Sequence, residues 1–172
     1  MATVVACTDP ETKEDATRTD WEPKIIAFLC SWCSYASADL AGVAGIQYSP
    51  NVRVVRVPCA GRINPMFIIK SLQRGADGVL IVGCHPGKCH YTTGNLYARR
   101  RLGLLKSLLE HVGIEDGRVQ ISWIWAAEGE KFARLVVNMV ERVRSLGPAR
   151  VLVADYKGLG QTQAQSMGSS ET

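Results

Sequence analysis

Apolar positions along the chain follow two rhythms. Residues 24–29, 52–57 and 78–82 read as apolar runs of strand length, and residues 119–125 alternate, placing Val119, Ile121, Trp123 and Trp125 on one face. Runs that are apolar on both faces point to buried parallel strands. Helix-length segments stand between them. Residues 34–47 are alanine-rich, and residues 64–74 open on Asn64-Pro65, a cap followed by proline at the first helical position. Residues 95–112 carry Leu102, Leu105, Leu108, Leu109 and Val112 at three- and four-residue spacing before Gly113, and residues 128–146 carry Phe132, Leu135, Val136, Met139, Val143 and Leu146 before Gly147-Pro148. The alternation predicts an α/β domain over residues 23–147. Right-handed crossovers make it a small open parallel sheet of about four strands with helices on both faces, flavodoxin- or Rossmann-like. Residues 148–172 read as an extended or disordered C-terminal tail. Within it, 151–154 form an edge strand or extended chain, and the glycine- and serine-rich 158–172 stay disordered unless a partner orders them.

Composition narrows the class. A chain of 172 residues, 47% hydrophobic and 21% charged, fits one soluble globular domain with tails. The net charge of +4 is uneven: residues 1–22, an acidic lead segment, hold six acids against Lys13 and Arg18, which leaves the remainder about +8. Basic residues without interleaved aromatics or a nucleic-acid motif predict no nucleic-acid binding. Apolar runs fall well short of the roughly 18 residues of a membrane helix, so no membrane is expected. The N-terminus lacks the basic start of a secretory signal, which predicts a cytoplasmic protein with reduced thiols.

Six cysteines change the picture. Cys7, Cys30, Cys33, Cys59, Cys84 and Cys89 all lie in the first 89 residues. On the strand assignment, Cys30, Cys59 and Cys84 follow three successive strands, and carboxyl ends of parallel strands share the edge where doubly wound folds bind ligands. Cys30, Cys33, Cys59, Cys84 and Cys89 are therefore expected to converge. A single cysteine is usually a buried small hydrophobe, a reading that stands for Cys7 but makes five coincidences at one edge.

Four thiolates at one locus suit zinc or an iron-sulfur cluster. Only Cys30-Ser31-Trp32-Cys33 has the paired C-x2-C form of structural zinc; Cys84 to Cys89 is C-x4-C, and Cys59 stands alone. Ser34 after Cys33 excludes c-type haem attachment. A C-x-x-C between strand and helix is also a thioredoxin-like position, so a thiol-disulfide protein using Cys30 and Cys33 is one alternative and a zinc-stabilised interaction module another. A 2Fe-2S cluster tolerates irregular spacing from several loops, and Pro86-Gly87 keep the C-x4-C loop non-helical, so its amides are expected to turn toward cluster sulfurs. His85 and His90 follow cysteines without Rieske spacing, and thiolates are in surplus. Five candidates for four places leave one cysteine over, and the spacing does not choose it.

Several stretches together carry a family resemblance: Phe28-Leu29-Cys30-Ser31-Trp32-Cys33, Pro58-Cys59-Ala60-Gly61-Arg62, Gly75-Ala76-Asp77-Gly78-Val79, Gly83-Cys84-His85-Pro86-Gly87-Lys88-Cys89-His90-Tyr91, Gly94-Asn95 and Arg99-Arg100-Arg101. Over about residues 24–146 the chain resembles the methyl-viologen-reducing hydrogenase delta subunit. The resemblance implies a 2Fe-2S subunit of methanogenic archaea and related anaerobes. Such a subunit passes electrons from a hydrogenase, or in some organisms a formate dehydrogenase, to the flavin subunit of heterodisulfide reductase, where electrons bifurcate. The lead segment with Cys7 and the C-terminal tail lie outside it.

Other features are secondary. Trp32, Trp123 and Trp125 read either as a sheath over the cysteines or as core aromatics, Arg62 as a positive charge near the site, and Arg99, Arg100 and Arg101 as a surface for an acidic partner. No serine-histidine-acid set, paired carboxylate site or phosphate loop is evident. That absence favours an electron carrier over an enzyme with a substrate pocket.

Overall fold

The structure, a computed structural model, describes residues 21–150. Residues 1–20 of the lead segment, with Cys7, the 151–154 stretch and the 158–172 segment lie outside the described residues. Four strands, β1 (Ile25–Cys30), β2 (Val52–Val57), β3 (Gly78–Cys84) and β4 (Val119–Ile124), alternate with four helices, α1 (Cys33–Val43), α2 (Pro65–Gln73), α3 (Gly94–His111) and α4 (Gly129–Leu146). All pairings are parallel, in the order β2-β1-β3-β4. The chain order reverses between β1 and β3, which makes the carboxyl edge there the switch point of a doubly wound sheet. This is the architecture the alternation predicts.

Two core layers explain the unbroken apolar runs of β1 and β3. Ile25, Ala27, Leu29, Leu80 and Val82 pack with Ala41 of α1 and with Phe132, Val136, Met139, Val140 and Val143 of α4. Phe28, Val79 and Ile81 face the other way, onto Ile68 and Leu72 of α2 and Ala98, Leu102, Leu105 and Leu109 of α3. Both faces of the central strands are thus dry, so no polar position is tolerated in them.

Four expectations need correction. β2 is not buried: it is the sheet's edge, with Val54 and Val55 exposed, because the helices lie over β1 and β3. Leu108 and Val112 of α3 are exposed, since the buried stripe runs through Asn95, Ala98, Leu102, Leu105 and Leu109. α1 ends at Val43 and not at 47, because Gly45 adopts a left-handed φ of 66° and the Ile46 N–H turns back to the Ala41 carbonyl. The face expected on β4 also breaks up: Ile121 is exposed, Trp123 packs on the α2–α3 layer and Trp125 lies beyond the strand end. By contrast, Asn64 caps α2 as expected, its Oδ1 accepting from Met66 N at 2.9 Å.

The amino edge of the sheet is closed by polar groups that periodicity does not reveal. Asp77, buried before β3, accepts from Lys24 N at 2.9 Å and Ala149 N at 3.0 Å, tying β1 to the chain after α4. Arg118, 1% exposed, makes five hydrogen bonds: two to the Glu115 carboxylate and one each to the carbonyls of Asp77, Leu146 and Gly147. Every guanidinium donor is used, which makes burial of the charge tolerable. Hydrogen bonding from Arg118 holds the Glu115 carboxyl below its usual range.

Arg118→Leu strands three backbone carbonyls and is expected to lower the unfolding free energy by about 2 to 3 kcal/mol in urea titrations. The Glu115 contribution exists above the unfolded carboxyl value, about pH 4.3, and fades as pH falls through the lower folded value. The variant should therefore lose less of its remaining stability on acidification than wild type, and equal acid limbs would refute the pairing.

Candidate functional site

The carboxyl edge gathers all five predicted cysteines. Cys30 and Cys84 are the last residues of β1 and β3, Cys59 follows β2, Cys33 begins α1, and Cys89 sits in the loop before α3. Cys30, Cys59 and Cys84 are buried; Cys33 and Cys89 are half-buried, and all five thiols are free. Geometry sorts four of them into two pairs. Cys30 and Cys84 Sγ atoms stand 3.7 Å apart, and Cys59 and Cys89 Sγ atoms 3.9 Å apart. Cys33 lies outside both pairs, though near enough to Cys84 for each to affect the other's titration. Among the described residues no group of three or more cysteine, histidine or acidic side chains is close enough to hold a single ion.

The thiols are not equivalent. Hydrogen bonding from Cys30, helped by the amides of Cys33 and His90 and the Cys33 thiol, brings Cys84 down to about 5. Its neighbour Cys30 is pushed up, first by that same shared hydrogen bond and then by burial. Burial, then the contact with Cys84, lifts Cys33 to about 11, and burial also raises Cys59. Within the Cys30–Cys84 pair the shared hydrogen bond favours negative charge on Cys84 over Cys30.

The amides that bear on these sulfurs come from segments other than the Pro86-Gly87 turn expected to supply them: Trp32 toward Cys30, Cys33 and His90 toward Cys84, Gly61 toward Cys59, and Ala126 toward Cys33. Within the Cys84–Cys89 loop, Gly87 takes φ 78° and Lys88 N closes on the His85 carbonyl at 3.0 Å, so that amide serves the turn. Asn95, 1% exposed, clamps the loop by donating to the carbonyls of Cys84 at 3.1 Å and His85 at 2.6 Å. Its Oδ1 is buried without a partner.

Two glycines set the spacing. A Cβ on Gly61 would lie 2.5 Å from the Gly94 carbonyl oxygen, and a Cβ on Gly94 would overlap Cys59 Sγ and come within 3.2 Å of Cys89 Sγ. Only bare backbone lets the turn after β2 and the start of α3 bring Cys59 to Cys89. The Gly94-Asn95 dipeptide is visible in the sequence, but without the fold it reads only as the opening of a helix.

Aromatics flank the thiols. Trp32, 43% exposed, stacks on His90 at 3.4 Å between ring centroids, with Tyr91 edge-on to both. His85 stacks on Trp125 and lies 3.4 Å from Lys131 Nζ. Trp123 packs on the core, where its ring abuts Gly83. Of the arginines, Arg99 and Arg100 are exposed, whereas Arg101 donates to the Gly61 carbonyl at 2.9 Å and joins Arg62 beside Cys59.

The model of the family described as methyl-viologen-reducing hydrogenase, delta subunit, matches residues 25–147. The vhc iron-sulfur subunit of an F420-non-reducing hydrogenase from Methanococcus voltae is 50% identical over 129 residues, covering 75% of this chain and 90% of that protein. The iron-sulfur subunit of the F420-non-reducing hydrogenase from Archaeoglobus profundus is 50% identical over 75% of this chain and 94% of its own length. A subunit of the ferredoxin:CoB-CoM heterodisulfide reductase of Methanosarcina mazei is 45% identical over 73% of this chain, which there corresponds to 16% of a longer protein.

In the metal-free, reduced chain, a bridging arsenical is expected to cross-link Cys59 and Cys89, read by peptide mass spectrometry. Gly94→Ala, which forces the pair apart at a cost of about 1 to 3 kcal/mol, should remove that cross-link. Undiminished cross-linking in a folded variant would show that the glycine does not set the spacing.

Proposed function

The chain belongs to the methyl-viologen-reducing hydrogenase delta subunit family, and from that membership we propose that it is an electron-transfer subunit carrying one 2Fe-2S cluster. It relays electrons from a hydrogenase or formate dehydrogenase to the flavin-containing subunit of a heterodisulfide reductase, in the cytoplasm. No described helix is long and apolar enough to cross a membrane. The cluster supplies one-electron chemistry when bound.

One observation carries the cofactor: the two Sγ pairs at 3.7 and 3.9 Å. Two thiolates on one tetrahedral metal at a bond length of about 2.3 Å stand roughly 3.8 Å apart. Each iron of a 2Fe-2S centre takes two protein thiolates, so two such pairs are the donor set it needs. Cys30 with Cys84 and Cys59 with Cys89 are the four ligands of this reading, and Cys33 is the cysteine left over. Burial of three of the four excludes water, and the amides of Trp32, Gly61, Cys33 and His90 neutralise thiolate charge. The partner rests on the relatives: one is the iron-sulfur subunit of a hydrogenase, and another carries a similar stretch within a longer heterodisulfide reductase protein.

The thiol-disulfide alternative fits the geometry less well. A C-x-x-C nucleophile needs access and a lowered value. Cys30 is 1% exposed, ends a strand, is pushed up, and pairs with Cys84 across the sheet.

Anaerobically reconstituted protein should contain about two iron and two sulfide per chain, with a paramagnetic signal on reduction. Serine at position 30, 59, 84 or 89 should each lower cluster content, while Cys33→Ser keeps it. Zinc without sulfide in the wild type would sink the reading, and equal loss in Cys33→Ser would overturn the ligand assignment.

A further inference from the structure

Beside Cys59 lies an open groove of about 460 Å³ lined by Arg62, Tyr91, Tyr97 and Arg101, with Cys59 itself in its wall. A second groove of about 350 Å³ shares Arg62 and Arg101 and is bounded by Phe67. The two arginines thus form a ridge with aromatic side chains on either side. Tyr91, Tyr97 and Phe67 are each about half exposed, and the Tyr91 side continues onto Trp32. Neither lining contains an acidic residue. Exposed aromatics and arginine are the side chains that dominate interface energetics, and an unopposed positive ridge selects a negative surface and speeds its approach. The Arg101 hydrogen bond to the Gly61 carbonyl holds one guanidinium in place before any partner arrives, which lowers the ordering cost.

We propose that this double groove is the docking surface for an acidic face of the flavin-containing heterodisulfide reductase protein, with an apolar side chain of that face seated between Tyr91 and Tyr97. The inference rests on the electron-relay reading and locates its exit. Electron transfer weakens steeply with separation, and at this groove a buried thiol of the cluster set, 5% exposed, lies directly under the surface. The occupant is a protein face, because the grooves are open and continuous with an exposed aromatic patch, and its charge follows from the arginines. The ridge also narrows the sequence expectation: of the three consecutive arginines, only Arg101 stands in it.

The test measures binding of the anaerobically reconstituted chain to the purified flavin-containing heterodisulfide reductase protein at several salt concentrations, with iron and sulfide assayed in every variant. The Arg62→Glu/Arg101→Glu pair should keep its cluster but bind about tenfold or more weakly, with a flatter salt dependence. Tyr97→Ser should weaken binding at all salt concentrations. Arg74→Glu, at the amino edge beyond α2, should bind as wild type. Should the charge-reversed pair lose its cluster, Arg62→Gln/Arg101→Gln is read in its place against the same criterion. Wild-type affinity in cluster-bearing groove variants, or equal weakening by Arg74→Glu, overturns the docking surface and leaves the relay reading standing. A wild-type chain that holds iron and sulfide but does not bind the flavin-containing protein overturns both the docking surface and the proposed acceptor.

Discussion

The structure depends on the burial of β1 and β3 on both faces. Two helices lie over each side of this pair, so its residues have no wet direction, and the strands must run parallel to let the crossover helices cover them. Parallel strands bring their carboxyl ends to one edge. The last residues of both buried strands are cysteines, and their sulfurs meet at 3.7 Å just past the end of the β1–β3 ladder, whose last pair is Leu29 with Val82. Two of the five thiols are thus anchored at the ends of the fully buried strands, and the less buried thiols, Cys33 and Cys89, come from a helix start and a loop beside them.

The two edges of the sheet handle charge in opposite ways. At the amino edge, Arg118 and Asp77 are buried with fully used hydrogen bonds, and their role is to hold β1, β3 and the end of α4 together. At the carboxyl edge, amides converge on sulfur with no buried cation beside it among the described residues, and arginines lie on the rim. Hydrogen bonds from the chain therefore favour negative charge on Cys84, while positive charge stays exposed on the rim. Separating these tasks lets the amino edge carry stability without constraining the site.

Backbone proximity is the finer constraint. Gly61 and Gly94 allow two loops to touch, and Asn95 fixes the Cys84–Cys89 loop from beneath. The same approach that pairs Cys59 with Cys89 also creates the groove beside Cys59, whose wall includes Gly61 and Gly94. The pairing of thiols and the shape of the surface above them are one packing decision.

Much was legible in the sequence because hydrophobic periodicity reports burial directly. The unbroken runs of β1 and β3, the Asn64-Pro65 start of α2 and the stripe of α4 follow from it, and placing the cysteines after strands predicts their common edge. Four kinds of information lay beyond it. Periodicity does not say which strand is outermost, so β2 read as buried although order β2-β1-β3-β4 leaves it at the rim. It does not mark where a left-handed glycine stops α1, or that Arg118 would be buried, since a charged residue reads as surface until its partners from two distant segments are assembled. It could not sort five cysteines into pairs, because spacing along a chain carries no distance between loops. The residues and their order by themselves determined the sheet and the edge at which the thiols gather. Tertiary packing decided which sulfur faces which, which arginine joins the ridge, and which aromatics stay exposed, because each depends on contacts between segments remote in sequence.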